Sequence, residues 1–418
     1  MPGENLFVRN RTKLMRDLED DALAVLFSSQ RMPRNGDQYF PFRQDSNFFY
    51  LTGTEQPGCI LLLNTSEAFL FINEPTSHMA IWEGIQLDAP KAQEISGIEN
   101  IRWTRDFENV LNKLLVNHKT VYFNLPEKIP AHEPRSQDAE YLEKFRNNYP
   151  FHDIQSLRPF LEKLRLKKEP EELEYIKQAI HITQKAVDRV LQLLKPGMGE
   201  KAVEAEITRQ MILGGAKGFA FDPILASGKN ATVLHYTSNH DVCRKQELLL
   251  MDFGAEYRNY AADISRTLPV EGRFTSRQRE CYQAVLDIMQ ELMPEIKPGV
   301  TIAELQQKVV SAFKEKHRAL GLYSAKDIRE DDTIWKKYFP HGISHFMGLD
   351  VHDCGDKNTV LEKGMVISWE PGIYIAEEGI GIRIEDDILV DDTPVNLSQD
   401  IPKDPDQLEK RMQEKHNP

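Results

Sequence analysis

Leu250-Met-Asp-Phe-Gly-Ala-Glu-Tyr257 and Tyr260-Ala-Ala-Asp-Ile-Ser-Arg-Thr267 are the stretch whose reading decides the fold. The run Glu247-Leu-Leu-Leu-Met251 predicts a buried strand that delivers Asp252. Asp263 follows after Tyr260-Ala-Ala262, and a hairpin of that length can set the two acids side by side. Taken alone, each could be an ordinary turn aspartate.

Further along, the same pattern returns. Met365-Val-Ile-Ser-Trp369 predicts a second buried strand, ending at Glu370 before a Pro-Gly turn. In Gly381-Ile-Arg-Ile-Glu-Asp-Asp-Ile-Leu-Val390, period-two alternation puts Arg383 and Glu385 on one face and Ile382 and Ile384 on the other. By itself that strand reads as a half-exposed one with an Arg–Glu pair. Four strand-borne acids converging on one core would repel each other strongly unless cations neutralised them. Two divalent ions match four carboxylates in charge, so the set predicts a two-metal hydrolytic site.

His341-Gly-Ile-Ser-His345 has the i, i+4 spacing of a zincin, but Gly342 stands where that motif needs its catalytic Glu. His352 follows seven residues later, which places three histidines within twelve residues. A lone buried histidine is usually a satisfied core group; three in a Gly-rich segment are harder to explain that way. His235, in Val233-Leu-His-Tyr236, reads alone as a strand histidine. Carboxylates with a single imidazole favour hard or borderline ions: manganese fits best, and cobalt, zinc or iron could substitute.

An order of elements recurs about one hundred residues apart. A long helix leads to Leu194-Lys-Pro-Gly197 and a helix from Glu200; a helix from Ser276 leads to Ile296-Lys-Pro-Gly299 and a helix from Ile302. Each copy ends in strands with an acid–x–Gly turn, Asp252-Phe-Gly254 and Glu370-Pro-Gly372. A shared KPG alone could be chance. The shared order predicts a duplicated α+β unit whose pseudo-twofold brings the carboxylate hairpins face to face.

Upstream, Leu23–Phe27, Cys59–Leu63, Ala68–Ile72 and Thr120–Phe123 read as buried strands, with a helix from Phe107 to Val116. This predicts a mixed α/β N-terminal domain over 1–160 and a catalytic domain over 161–418. Pro170 fits a first helical turn just past the boundary, with Glu171 and Glu172 complementing the helix dipole.

The net charge of −13 argues against nucleic-acid or anionic-membrane partners. Cys59, Cys243, Cys281 and Cys354 have no CxxC spacing and read as reduced thiols of a cytoplasmic protein. The opening MPGENLFVRNRTKLMRDLED lacks an apolar signal-peptide core, its acids argue against a transit peptide, and no apolar run approaches a membrane span.

With these segments, the chain resembles the pita-bread dinuclear metallopeptidases. Within them it is most similar to the Xaa-Pro aminopeptidase (aminopeptidase P) family, through Tyr39-Phe-Pro-Phe-Arg-Gln-Asp-Ser-Asn-Phe-Phe-Tyr-Leu-Thr-Gly53 in the N-terminal half. The resemblance implies two divalent metal ions per subunit, with Asp263 and Glu385 bridging, Asp252 on one ion, and His345 and Glu370 on the other. It implies a hydroxide between the ions as nucleophile, with Glu370 orienting that water and shuttling its proton. His352 would bind the substrate carbonyl or the oxyanion, and His235 and His341 would line the proline pocket. Arg383 and Tyr374 would be supporting or substrate-side groups. Trp82, in Ile81-Trp-Glu-Gly84, matches a tryptophan that reaches toward the active site in relatives. The implied activity is release of the first residue from peptides with proline second, by a homodimer or homotetramer. The alternatives are a prolidase, which takes only Xaa-Pro dipeptides, and a non-catalytic binding protein on the same scaffold.

Overall fold

The computed structural model describes residues 5–84, 86–125 and 136–414. It divides into two compact units, one ending at Arg165 and the other beginning at Leu166. Residues 1–4 of the opening stretch, read above as no leader, lie outside the described residues.

The N-terminal unit is built on a six-stranded mixed sheet, in the order Asn100–Trp103, Ala68–Ile72, Ile60–Leu63, Ala22–Phe27, Thr120–Phe123, Asp153–Ser156. Ala22–Phe27 is buried along its whole length because it has neighbours on both edges and helices against it, which is why its sequence is a continuous apolar run. Phe71, Phe107, Phe123 and Phe145 pack in the core beneath it. The Tyr39–Gly53 signature has a structural role here. Asp45 caps the helix Ser46–Thr52 by accepting the Phe48 N–H, and Gly53 closes it in the left-handed region at φ 66°.

In the second unit, Pro170 opens the helix Pro170–Leu193, where Glu169 and Glu172 form a reciprocal capping box. Glu172 stands in the first turn, as expected from the dipole, and has a second role. It turns inward and accepts the Tyr260 hydroxyl at 2.8 Å, and burial pushes its carboxyl up to about 7.

The repeat extends into three dimensions. Gly197 takes the left-handed region at φ 87° and donates its N–H to Cys243 O, and Gly199 bridges Val242. One hundred residues on, Gly299 at φ 94° donates to Leu361 O, and Thr301 bridges Val360. The helices Glu200–Leu213 and Ile302–Ala319 follow at equal offsets. Each half then supplies an antiparallel three-stranded sheet: Ile224–Ser227, Leu248–Phe253 and Ile264–Pro269 in one, and Val366–Trp369, Asp386–Leu389 and Val395–Asn396 in the other. Among the described residues, no helix is long and apolar enough to cross a membrane.

The two acid–x–Gly segments are not turns. The chain runs extended through Gly254 from Leu248–Phe253 into Ala255–Tyr257, and through Pro371 from Val366–Trp369 into Gly372–Ile375. Neither glycine is left-handed; each permits close approach instead. A Cβ on Gly254 would lie 1.6 Å from Ala262 O, and one on Gly372 would lie 2.7 Å from the Tyr374 hydroxyl.

His317, on the helix Ile302–Ala319, is fully buried among Phe313, Tyr323 and Tyr338. Burial lowers its imidazole to about 4. The unfolded chain therefore binds a proton there below pH 6.5 that the folded chain refuses, so stability falls as pH drops from 6.5 toward 4. At pH 5 this group costs about 2 kcal/mol. His317→Phe should reduce the loss of melting temperature between pH 7 and pH 5; an unchanged pH slope would show that His317 does not carry the effect.

Candidate active site

Nine of the predicted residues meet at one cavity of about 350 Å³ in the second unit. His235, Asp252, Asp263, His341, His345, His352, Glu370, Arg383 and Glu385 all line it, with Phe221, Asp222, Ile224, Leu234, Thr237 and Val351. Asp252 lies in the strand Leu248–Phe253, paired opposite Ser265, so Asp263 stands just beyond the end of the ladder. Glu370 follows the end of Val366–Trp369, and Glu385 sits between Ile380–Arg383 and Asp386–Leu389. The Glu385 N–H donates to Ser265 O, which ties the halves together at the site.

Ligand atoms of Asp263, His345 and Glu385 lie within 4.8 Å of one another. His345 Nε2 is 3.3 Å from Asp263 Oδ2 and 3.7 Å from Glu370 Oε1. Its Nδ1–H donates to Phe346 O, which turns Nε2 toward the acids, the orientation a ligating imidazole needs. Asp252 stands apart from that trio, with Oδ2 on Arg383 Nη2 at 2.5 Å. Its Oδ1 is buried and lacks a hydrogen-bond partner among the described residues.

The electrostatics are those of an acid cluster with too little positive charge. Burial, then repulsion from Asp252, pushes Asp263 up to about 6 against the pull of His345 and Arg383. Burial is also the main cause that brings Glu370 up to about 7. Burial and the charges of Asp263, Glu370 and Asp252 hold Glu385 well above the usual carboxylate range. Burial pulls His345 down, but Asp263 and Glu370 outweigh it and bring the imidazole up to about 9. Buried acids that repel one another, an orphaned oxygen and an oriented imidazole fit divalent cations.

Arg383 organises the wall. It does not pair with Glu385, as the isolated strand reading would have it. Nη2 meets Asp252, Nη1 donates to the Tyr374 hydroxyl at 2.7 Å, and Nε donates to Ser265 Oγ at 2.8 Å. Ser265 then donates to Glu385 Oε2 at 2.8 Å. Tyr374 passes its own hydrogen to His341 Nε2 at 2.8 Å, and His341 Nδ1–H goes to Gly342 O. This chain suits a neutral imidazole, and burial, with Arg383 and His235 nearby, lowers His341 to about 3. His352 packs edge-on to His345 with ring centroids 4.3 Å apart.

His235 is not on a strand. It follows the 3-10 turn Gly228–Thr232 in an irregular segment and is exposed to the cavity. Trp82 lies on the helix Ser77–Glu83 of the N-terminal unit, 76% exposed, with the His78 ring 6.0 Å away. It is not among the residues lining this cavity.

Three supporting residues escaped the sequence reading. Ser265 and Thr267 share the face of Asp263 by strand alternation, which would have found them; Thr267 exchanges hydrogen bonds with the Arg383 backbone. Asp387, fully buried, accepts the Asp263 N–H at 3.3 Å. The acidic run Glu385-Asp-Asp387 was its only signal.

Comparison with known proteins gives the family. Residues 174–392 match metallopeptidase family M24, and residues 7–122 match the aminopeptidase P N-terminal domain. The chain belongs to the aminopeptidase P family of M24 metallopeptidases. It is 35% identical to the Xaa-Pro aminopeptidase of Escherichia coli K12 over 97% of each chain. It is 30% identical to human Xaa-Pro aminopeptidase 3, over 93% of this chain and 80% of the relative. Among solved structures, E. coli aminopeptidase P with the inhibitor Pro-Leu matches with a TM-score of 0.90 at 33% identity over 98% of each chain. Proline aminopeptidase P II of Yersinia pestis matches at 0.89 and 31% identity, over 98% of this chain and 99% of that one. The architecture is thus that of the aminopeptidase P family, with the pita-bread fold in its second unit. Membership of M24 implies a divalent metal.

Proposed function

We infer that the chain is a metal-dependent exopeptidase that releases the N-terminal residue from peptides with proline second. The observation that carries this is the convergence of the four strand-borne carboxylates Asp252, Asp263, Glu370 and Glu385 and four histidines on one cavity in an aminopeptidase P fold. In our reading Asp252, Asp263, His345, Glu370 and Glu385 would hold two divalent ions, Asp263 and Glu385 being the acids placed to serve both. Ions bound there supply balancing charge and bring the pKa of a water toward neutrality, and the oxygen-rich donor set supports manganese.

The protein's own groups do the rest. Glu370 takes the proton of the attacking water on a carboxylate oxygen and delivers it to the departing proline nitrogen. His352 donates a hydrogen bond to the substrate carbonyl oxygen as it gains charge. His235 and His341 receive the proline ring, and His341 keeps its orientation through Tyr374 and Arg383. The Xaa–Pro bond lacks an N–H, so a site that grips carbonyl and ring needs no partner for it. Trp82 is kept as a substrate-side residue on the family resemblance alone. The four cysteines are free, which supports the cytoplasm, and the resemblance supports a homodimer or homotetramer.

The test is a pair of substrates given to manganese-loaded protein. An Xaa-Pro-Xaa tripeptide should lose its first residue. Hydrolysis of Xaa-Pro dipeptide alone would make the protein a prolidase, and no hydrolysis of either would favour a binding protein.

A further inference from the structure

His235 has no hydrogen-bond partner among the described residues, so no bond of its own fixes the ring, and the ring's place in the cavity depends on where its backbone is held. That backbone belongs to no strand. A regular ladder cannot hold it, and something else must.

Glu200 does. It opens the helix Glu200–Leu213 and is fully buried, whereas the helix dipole alone would leave such an acid in solvent. Its Oε1 accepts the Ser227 N–H at 2.8 Å, the Ser227 hydroxyl at 2.7 Å and the Asn230 amide at 3.5 Å. Its Oε2 accepts the Tyr236 hydroxyl and the Asp241 N–H, both at 2.9 Å. These donors flank His235 on both sides, and Tyr236 is its immediate neighbour. One turn on, Glu204 accepts the Asn239 amide at 2.9 Å, and Asn239 Oδ1 accepts the Leu225 N–H. On the far side, Gly381 lets the chain come close: a Cβ there would lie 2.0 Å from Ala231 O. Glu200 is no ligand in the acid cluster and has no other task in the reaction.

We propose that Glu200 is a positioning residue that holds His235 at the proline pocket through Ser227, Asn230, Tyr236 and Asp241. This rests on the reading that His235 receives substrate. A carboxylate with both oxygens taken by donors cannot be replaced by an amide without setting N–H against N–H.

The experiment is a double-mutant cycle on the manganese-loaded enzyme, measured as kcat and KM for an Xaa-Pro-Xaa tripeptide. Tyr236→Phe removes one bond and keeps the ring, so it remains informative where Glu200→Gln fails to fold. Tyr236→Phe should lower kcat/KM about tenfold and Glu200→Gln about a hundredfold, with bound metal unchanged in Tyr236→Phe. In a His235→Ala background both effects should vanish. Where His235→Ala itself lowers kcat/KM, additive losses, or a Tyr236→Phe enzyme equal to the parent, would overturn the proposal. The ¹³C-labelled His235 ring resonance gives a readout independent of turnover. If His235→Ala alone leaves kcat/KM unchanged, the pocket reading fails; a ring resonance displaced in Tyr236→Phe would still sustain the anchor, and an unmoved one would overturn it.

Discussion

Asp263→Ala is expected to abolish activity and metal content together. Asp263 sits within 4.8 Å of the ligand atoms of His345 and Glu385, and in our reading it touches both ions. Its removal takes one carboxylate from the Asp263–His345–Glu385 group that would hold the metal. We expect kcat/KM on an Xaa-Pro-Xaa peptide to fall by about a thousandfold or more. Metal analysis after dialysis should find less than half the parent content. The fold should persist, because the change relieves a repulsion: the Asp263 charge is one of those that hold Glu385 above the usual carboxylate range. A variant that keeps near-normal turnover would remove Asp263 from the site.

Arg266→Met is expected to have the largest effect on stability. Arg266 and Asp386 form a pair with no exposure on either side chain. The guanidinium spends all five N–H groups inside the protein. Nε donates to Pro402 O, Nη1 to Ser265 O and Glu385 O, and Nη2 to Asp386 Oδ1 and Ile401 O. Methionine fills similar space but leaves four carbonyls and a carboxylate without that cation. Lys403 and Asn396 still reach Asp386, which limits the cost. Removing one partner of a buried pair costs about 3–5 kcal/mol. For a unit of this size, that lowers the melting temperature by about 10 °C. Calorimetry at neutral pH tests this; a shift under about 2 °C would mean that the backbone carbonyls find other partners.

How much of this was legible in the sequence depends on the range of the interaction. Asp252, Asp263, Glu370 and Glu385 could be found because each ends or interrupts an apolar strand run, where an acid is costly and conspicuous. The two KPG turns could be paired because Gly197 and Gly299 need the same left-handed backbone. The acid–x–Gly segments misled because glycine has two uses. At Gly254 and Gly372 it admits a neighbouring atom rather than reversing the chain. Glu172 read only as an acid complementing the helix dipole because its partner, Tyr260, is eighty-eight residues away. Glu200 was invisible as an anchor for the same reason: the helix start was evident, but not the segment it would meet. Arg383 was placed on the correct face, yet its choice of Asp252 over Glu385 depends on how two strands from different halves cross. Local pattern identifies which side chains are costly to bury; it does not say which distant group compensates them.

The Arg266 cluster also bears on the order in which a newly made chain can finish its catalytic centre. Two of the acceptors around the guanidinium, Ile401 O and Pro402 O, come later in the chain than every proposed ligand. The same cation fixes the backbone of Ser265 and Glu385, on either side of the ligand cluster. While a ribosome still holds residues 401–402 in its exit tunnel, that cation lacks two of its partners and the Glu385 corner has an incomplete support. The support of the centre is therefore completed only once residues 401–402 have emerged, after every proposed ligand and after the N-terminal unit has been made.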